Sequence, residues 1–389
     1  MKVYYISGCI PYNGKTGGRL ACYNHILQLS KEFDDVQAFF IDLDCDADFI
    51  NIDLPDNVSY EIYCRNRSNK KNLYNIILML FNAFFSLLPR SMDVVYSNIL
   101  NNKIKNIYLE NPENIFIVDQ MDVYANIKNI EGIKYIYISH NVESKMIKDK
   151  ILADSKLLFF INFINFIKTS FFERKVIKNS IKTLFISSED EKKFKKFKNT
   201  CIYPEFIPAK EVSWKFHTLD KSILFLGSSH HYPNKEATLW IIQEFAPKLY
   251  EIDPSINIKI CGLNSSDIKL KHELICENVT FLGRVSDQEL KDLFISSRLF
   301  LSPIILGSGI KMKVLEASSY GCPIFCTPES ISGLDYLTDL VNSCDRNDVD
   351  IFVKEMIDIF YNHDELLKQS KKILNKLYDM QNISNNYFN

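Results

Sequence analysis

The stretch Ile304-Ile305-Leu306-Gly307-Ser308-Gly309-Ile310-Lys311-Met312-Lys313-Val314-Leu315-Glu316-Ala317 decides how this chain is interpreted. Residues 298–303, just before it, are an apolar run that ends at a proline, and they predict a short strand. Residues 313–320 predict a helix that ends at Gly321. The segment therefore predicts a strand, a glycine turn and a helix, in this order.

The glycine turn has the features of an anion-binding helix start. Gly307 and Gly309 let the backbone approach a ligand closely, and the first helical turn offers unpaired N–H groups and a positive dipole end. Lys311 and Lys313 oppose that dipole, so a bound anion explains their positions better than helix stability does. Glu316 follows about one turn later, within reach of a ligand hydroxyl. An ordinary surface helix after a glycine turn is the alternative, and the segment alone leaves both open.

Length and composition predict a two-domain protein without a nucleic-acid partner. The chain has 389 residues, more than the ~250–300 that one core usually serves, and 47% of them are apolar. The net charge of -2 lacks the basic signature of nucleic-acid binding. The ten cysteines are scattered without a CxxC pair, which favours reduced thiols in a cytosolic protein over a metal site. No signal peptide and no apolar run of the ~18 residues that a spanning helix needs are recognisable.

The first residues predict the opening unit of a Rossmann-like domain. A strand over residues 3–6 is followed by a glycine-containing loop at 11–19 and a helix over 20–31. Gly17 and Gly18 in that loop let an anion or a sugar come close to the backbone. A flexible turn without a ligand is the alternative.

Polar residues follow three further predicted strands of the N-terminal half. These strands are 93–97, 115–119 and 135–139. In a parallel sheet the residues just beyond the carboxyl ends of the strands lie at the ligand-binding edge, so Asp122 and His140 are expected there. His140 as a polar cap of its strand is the alternative, and Asp119 is interpreted as structural.

Two stretches have compositions that suit either a core or a membrane surface. Residues 73–88 are strongly apolar, and residues 156–198 combine an aromatic stripe with many lysines. A basic, aromatic-rich helix fits an anionic lipid surface, whereas a core helix followed by a solvated charged helix fits equally well.

From residue 222 onward, strands and helices alternate again, beyond a linker at 203–214. This alternation predicts a second parallel, doubly wound sheet.

Several segments of this second half resemble the group-1 (family 4) glycosyltransferases, which are retaining enzymes of the GT-B type. The segments are Leu224-Phe225-Leu226-Gly227, Tyr232-Pro233-Asn234, Ile260-Cys261-Gly262, Val279-Thr280-Phe281-Leu282-Gly283-Arg284-Val285, the 307–317 stretch and Gly321-Cys322-Pro323. The resemblance is specific over residues 222–335. It is looser in the N-terminal half, where Gly17-Gly18, Asp119 with Asp122, and residues 140–143 carry it.

The resemblance implies an α/β fold of two Rossmann-like, doubly wound domains that face a cleft. Residues 1–210 would form the acceptor-binding domain and residues 218–362 the nucleotide-sugar-binding domain. Residues 363–389 would form a C-terminal helix that packs back toward the N-terminal domain. The donor would be a nucleoside-diphosphate sugar, with no further cofactor.

The resemblance also implies roles for the residues around the glycine turn. Glu316 matches the second glutamate of the family's E-x7-E element and would bind the ribose hydroxyls. The first glutamate is replaced by Ser308, so the backbone N–H groups of Ser308, Gly309 and Ile310 are expected to contact the donor sugar instead. The remaining implied roles are Lys311 and Lys313 on the diphosphate, Gly17 and Gly18 in donor binding, His140 at the donor sugar's reacting face, and Asp122 in orienting the acceptor or His140.

A helix N-terminus with cationic side chains can stabilise a diphosphate leaving group as a metal ion does. The expected reaction is therefore metal-independent glycosyl transfer with retention. A nucleotide-sugar epimerase of the same shape and a catalytically silent partner subunit remain alternatives. The expected setting is bacterial surface polysaccharide or lipopolysaccharide assembly on a saccharide or lipid-linked saccharide acceptor. The protein is expected in the cytoplasm, peripheral to the inner membrane if residues 73–88 and 156–198 contact lipid.

Overall fold

The protein consists of two compact units, each with its own parallel sheet. One unit comprises Met1–Glu205 and Asn386–Asn389, and the other comprises Phe206–Asn385. The structure, a computed structural model, describes residues 2–11, 17–42, 52–64, 86–151, 156–215, 221–229, 231–262, 277–307, 309–382 and 387–388.

The sheet of the first unit has seven parallel strands in the order β3-β2-β1-β4-β5-β6-β7. The strands are β1 Val3–Ser7, β2 Val36–Asp42, β3 Val58–Cys64, β4 Ile115–Asp119, β5 Tyr135–Ser139, β6 Lys182–Phe185 and β7 Thr200–Ile202. The chain winds outward in one direction from β1 and in the other from β4, so the ligand-binding switch point lies between these two strands. Every residue of β1 and β5 is buried, as expected for central strands of a parallel sheet covered on both faces.

Helices cover both faces of this sheet. They are α1 Gly17–Glu32, α2 Arg90–Val95, α3 Asn98–Glu110, α4 Glu143–Ile151, α5 Lys156–Asn179 and α6 Ser188–Lys192, with a 3-10 helix at Met121–Asn126. The start of α3 is fixed by Ser97, whose side chain accepts a hydrogen bond from the backbone N–H of Leu100.

The predicted strand at residues 93–97 is wrong. The chain is helical over α2, because Pro89 occupies the N-cap position and Met92 and Val95 turn one face into the core. The edge strand β3, in contrast, was not predicted from the sequence. Of the predicted apolar helix at 73–88, residues 73–85 lie outside the described residues.

The second unit repeats the same winding with six parallel strands in the order β10-β9-β8-β11-β12-β13. The strands are β8 Ser222–Leu226, β9 Asn257–Cys261, β10 Val279–Gly283, β11 Leu299–Ser302, β12 Ile324–Cys326 and β13 Asn342–Ser343. Here the switch point lies between β8 and β11, which pair with Leu224 opposite Phe300. This arrangement confirms the predicted second doubly wound sheet.

The helices of the second unit are α7 Tyr232–Trp240, α8 Ala246–Ile252, α9 Asp287–Ser296, α10 Met312–Ser319, α11 Val349–Tyr361 and α12 His363–Asn382, and a π turn at Ile241–Phe245 joins α7 to α8. Two of these helices, α9 and α11, begin at a side-chain cap. A capping box between Ser286 and Glu289 starts α9, and the Asp348 side chain caps α11.

The last helix, α12, belongs to the second unit, and Asn386–Asn389 belong to the first, so the predicted packing of residues 363–389 toward the N-terminal domain stays a prediction. Gln369 exchanges two hydrogen bonds with the backbone of Ile324 in β12. A Cβ added to Gly321, which has φ of 66°, would lie 2.8 Å from Leu374 of α12. Farther along, the rings of Tyr387 and Phe388 pack on Tyr203 within the first unit.

Candidate functional site

The glycine turn leads from β11 to α10 in the second unit, as predicted. Gly307 and Gly309 have φ values of 92° and 76°, a left-handed backbone that favours glycine. A Cβ on Gly307 would also come within 3.1 Å of Pro233 Cγ. Ser308, the residue between the two glycines, lies outside the described residues.

The N-terminus of α10 has no side-chain cap. Lys311 is the N-cap residue and its side chain makes no capping hydrogen bond, and the first turn contains no acidic residue. The Lys311 Nζ instead donates to the carbonyl oxygens of Gly307, at 3.2 Å, and Gly309, at 2.9 Å. An anion can therefore use the backbone N–H groups of Met312 and Lys313, with one ammonium group beside them, whereas the Val314 N–H donates to Lys311 O at 2.8 Å.

Lys313 supplies a second cation in an unusual setting. Its Nζ donates to Asn234 Oδ1 at 2.5 Å and lies 5.0 Å from the centre of the Phe225 ring. Burial lowers its pKa to about 7, and the charge of Lys311 adds to this effect. Within the described part of the chain, no carboxylate forms an ion pair with Lys313. A bound anion would be the negatively charged partner that the Lys313 amine lacks among the described residues.

Glu316 lies one turn along α10 and is partly buried. Burial raises its pKa to about 7, and the positive charge of Lys210 opposes the rise. Lys210 is held there because its backbone N–H donates to Ser319 O at 2.8 Å. Sequence reasoning missed Lys210, Asn234 and Phe225 as parts of this site, since only folding brings them to α10.

In the first unit, His140 follows β5 and Asp119 ends the neighbouring strand β4. The His140 Nε2 lies 2.6 Å from Asp119 Oδ1. Although burial opposes it, His140 and His25 hold the pKa of Asp119 well below its usual range, so this carboxyl is ionised. The other carboxylate oxygen, Oδ2, accepts hydrogen bonds from the hydroxyls of Tyr5, at 2.6 Å, and Ser7, at 3.1 Å.

The carboxylate that contacts His140 is thus Asp119, and not Asp122, which the sequence suggested for orienting it. Gln120, with φ of 76°, turns the chain between the two aspartates and carries Asp122 into the 3-10 helix. Burial raises the pKa of Asp122, and a hydrogen bond from Ser91 opposes the rise. Asp119, interpreted from the sequence as structural, is the centre of the polar cluster.

The predicted glycine loop at residues 11–19 is described only in part, because residues 12–16 lie outside the described residues. Gly17 is the first residue of α1. Gly18 follows it, and a Cβ there would lie 3.7 Å from Cys9 Sγ, an ordinary contact distance. No local packing in the described residues therefore requires glycine at 18.

Among the described residues, one group has ligand atoms close enough together for a metal ion. These atoms belong to His25, Asp119 and His140 and lie within 4.8 Å of one another. His140 is hydrogen-bonded to Asp119, and His25 Nδ1 lies at ion-pair distance, 3.4 Å, from the same carboxylate oxygen. We interpret the group as a network of ion pairs.

Helix α5 carries the aromatic stripe predicted from the sequence, and much of the stripe is exposed. The exposed fractions of Phe160 and Phe171 are 64% and 63%. A cavity of about 740 Å³ beside the stripe is lined by apolar side chains together with Arg174, Lys175 and Lys178. No helix among the described residues is long and apolar enough to span a membrane.

Comparison with known proteins finds a family model that matches most of the second unit. Residues 220–362 match the model of the group 1 glycosyl transferases. An uncharacterised 44.6 kDa protein in the cps region of Klebsiella pneumoniae is 23% identical over 329 residues, covering 81% of this chain and 80% of that protein.

Solved glycosyltransferases share the whole two-domain fold at low sequence identity. TarM from S. aureus, in a complex that contains UDP, has a TM-score of 0.66 at 9% identity, covering 97% of this chain and 96% of TarM. Sucrose-phosphate synthase from Thermosynechococcus elongatus has a TM-score of 0.68 at 10% identity over 97% and 94% of the two chains. WaaG, a glycosyltransferase involved in lipopolysaccharide biosynthesis, has a TM-score of 0.60 at 12% identity over 98% and 96%. Residues 220–362 thus match the group 1 glycosyl transferase family, and the chain shares the two-domain GT-B fold of these solved structures.

Proposed function

We propose that this chain transfers a glycosyl group from a nucleoside-diphosphate sugar to a saccharide or lipid-linked saccharide. The transfer retains the anomeric configuration and uses no metal ion at the donor phosphates. The second unit binds the donor and the first unit binds the acceptor.

The observation that carries this proposal is the cationic start of α10. The amine of Lys313 has no carboxylate partner among the described residues, and it lies one residue inside a helix whose first turn lacks a side-chain cap. A diphosphate supplies two negative groups to such a place. Charge that develops on the leaving diphosphate would be stabilised by Lys311, Lys313 and the helix N–H groups, so no metal ion is required there.

The remaining donor contacts follow from the same segment. Glu316 accepts hydrogen bonds from the ribose hydroxyls, a role that requires its ionised form. The backbone N–H groups of Ser308, Gly309 and Ile310 contact the donor sugar in place of the missing glutamate. Gly17 and Gly18 let the donor approach the start of α1.

In the first unit, His140 contacts the donor sugar and the acceptor hydroxyl. Asp119 fixes the orientation of its ring through the 2.6 Å contact at Nε2. For Asp122 we retain only the proposed role toward the acceptor, since its described hydrogen bond is with Ser91.

The biological setting is proposed from relatives and from α5. The K. pneumoniae relative lies in a cps region, and WaaG acts in lipopolysaccharide biosynthesis. We therefore place the reaction in bacterial surface polysaccharide assembly, at the cytoplasmic face of the inner membrane. The exposed aromatic residues of α5 with Arg174, Lys175 and Lys178 would contact its anionic lipids.

The test is a panel of UDP and GDP sugars, incubated with and without a bacterial lipid extract, with EDTA present throughout. Transfer predicts release of the nucleoside diphosphate that depends on the extract, and NMR coupling constants of the product would report retention. Conversion of donor alone into another nucleotide sugar would identify an epimerase instead. Donor binding without any turnover, across the panel and several extracts, would identify a silent partner subunit.

A further inference from the structure

The starts of two helices of the second unit meet beside the glycine turn. Helix α7, like α10, begins without a side-chain cap and has no acidic residue in its first turn. A Cβ on Gly307 would come within 3.1 Å of Pro233 Cγ, near the start of α7. From α10, the Lys313 amine reaches Asn234 of α7, with 2.5 Å between Nζ and Oδ1. The positive ends of two helix dipoles therefore lie at one place.

The packing at the end of β8 fixes where the Asn234 side chain lies. Gly227 follows β8, and a Cβ there would lie 3.0 Å from both Asn234 Cβ and the Phe225 ring. The Asn234 backbone N–H donates to His231 O at 3.0 Å, which holds the first turn of α7. A glycine at 227 thus lets Asn234 pack against the strand end, with its amide in contact with Lys313.

The contact with Lys313 also determines how the Asn234 amide is oriented. An ammonium group only donates hydrogen bonds, so the amide oxygen faces it and the amide nitrogen is left for another partner. The bond from Lys313 is the single hydrogen bond of the Asn234 side chain within the described residues. The two N–H donors of Nδ2 can therefore bind a further acceptor beside the ammonium group.

The Asn234 amide lies in a positively charged setting. Partial burial lowers the pKa of His231, and the charges of Lys313 and Lys311 lower it further. Asparagine bonds to the Lys313 amine without neutralising it, whereas an aspartate at position 234 would form an ion pair with it. A cation that keeps its full charge, next to two N–H donors, suits an anion with several acceptor oxygens.

We propose that Asn234 binds the donor diphosphate together with Lys313: its Oδ1 orients the amine, and its Nδ2 donates to a phosphate oxygen. This inference rests on the proposed function, in which the diphosphate lies at the start of α10. It adds a neutral residue of α7 to the cations that the sequence indicated. The diphosphate is thus bound from two helices of the second unit.

The first test measures the binding of pyrophosphate, UDP and GDP to the full-length protein by calorimetry at pH 7. Asn234→Leu keeps the approximate size of the side chain and removes its hydrogen bonds. Because a hydrogen bond to a charged group is lost, each ligand should bind about 10- to 150-fold more weakly. Binding within twofold of the wild type would overturn the proposal.

The Asn234→Asp variant separates binding from a structural role. The carboxylate keeps the size of the side chain and its bond to Lys313, and a negative charge in the first turn of α7 interacts favourably with the helix dipole. The midpoint of denaturant unfolding should therefore not fall. Because the carboxylate repels the diphosphate and cannot donate to it, the ligands should bind about tenfold or more weakly than to Asn234→Leu. If Asn234 only held Lys313 in place, the aspartate would serve as well, so wild-type affinity in this variant would overturn the proposal.

The matched control is Asn362→Asp, which makes the same change at an exposed residue just before α12 in the same unit. Asn362 Oδ1 accepts a hydrogen bond from the backbone N–H of Glu365 at 3.0 Å, and an aspartate can make the same bond. The affinity for all three ligands should stay within twofold of the wild type. A loss equal to that of Asn234→Asp would show a general effect of added charge and overturn the proposal.

The second test observes the Asn234 amide itself by NMR in the 15N-labelled wild type. The side-chain NH2 signals of Asn234 are those that vanish in Asn234→Leu. Addition of pyrophosphate should shift these signals, while those of Asn362 stay in place. Pyrophosphate binding without such a shift would overturn the proposal and leave the proposed function standing. A wild type that binds none of the three ligands would refute the proposed function, and this inference with it.

Discussion

Removing the amine of Lys313 should weaken nucleoside-diphosphate binding strongly. In the proposed complex this amine makes a hydrogen bond between two charged groups, which contributes about 1.5–3 kcal/mol. Because 1.4 kcal/mol is a factor of ten, the Lys313→Met variant should bind UDP or GDP about 10- to 150-fold more weakly than the wild type. Isothermal titration calorimetry at pH 7 measures this ratio directly.

The same residue makes the binding depend on pH in a defined direction. The pKa of Lys313 is about 7 in the unbound protein, and a bound diphosphate should raise it. The contribution of Lys313 to wild-type affinity should therefore fall by about fivefold between pH 7 and pH 8, with uptake of close to one proton per nucleotide at pH 8, while ionisation of Glu316 partly offsets this fall. Titrations in two buffers with different ionisation enthalpies measure that uptake.

The matched control is Lys371→Met, at an exposed lysine of α12 in the same unit. It should leave both the affinity and the proton uptake unchanged. If Lys313→Met binds within twofold of the wild type, or takes up as many protons at pH 8, Lys313 does not bind the diphosphate and the donor assignment is refuted.

Three further changes test other parts of the account. Glu316→Gln should weaken UDP binding about tenfold at pH 8 and remove the decline in wild-type affinity as pH falls through about 7. In calorimetry this variant should also bind UDP and 2′,3′-dideoxy-UDP with equal affinity. Asp119→Asn should lower turnover by about 100-fold or more, because His140 loses its anionic acceptor, while UDP affinity stays within twofold. Gly321→Ala should lower the free energy of unfolding by about 1–3 kcal/mol in a denaturant titration, because position 321 has φ of 66° and the new Cβ would lie 2.8 Å from Leu374. An unchanged midpoint would show that α12 shifts freely.

The free energy of unfolding should also depend on pH through Lys313. The direction of this pH dependence is opposite to that of a lysine in a favourable ion pair. Its pKa is about 7 when folded, against ~10.4 for an unperturbed lysine, so the unfolded chain binds more protons between these values. The contribution of Lys313 to the free energy of unfolding therefore increases as pH rises from about 7 to about 10.4. Lys313→Met should flatten that part of the pH profile of unfolding, as measured by denaturant titration.

The two sheets were predictable because their central strands carry a strong local signal. Residues 115–119 and 135–139 are short apolar runs that end at polar residues, a pattern typical of buried parallel strands. Residues 93–97 have a similar run, Asp-Val-Val-Tyr-Ser, yet the chain is helical there. The deciding interactions are tertiary, since Met92 and Val95 pack into the core on one helical face.

The glycine turn was predictable because the left-handed backbone at Gly307 and Gly309 leaves a direct mark in the sequence. The partners of its side chains were not. Lys210 reaches Glu316, and Asn234 reaches Lys313, only through the folded second unit.

The histidine network shows the same limit. His140 could be selected because it follows a strand, whereas His25 lies inside helix α1, where a lone histidine carries no signal. Its partners Glu205 and Asp119 are far away in sequence. Contacts of this kind are visible only when both positions are known.

The central claim, that a diphosphate binds at the start of α10, is tested most directly by hydrogen–deuterium exchange with mass spectrometry in the presence and absence of saturating UDP or GDP. With a diphosphate bound there, peptides covering residues 307–316 should exchange more slowly, and the Lys313→Met variant should lose that protection. Nucleotide binding that calorimetry detects, while exchange at residues 307–316 stays unchanged, would contradict it.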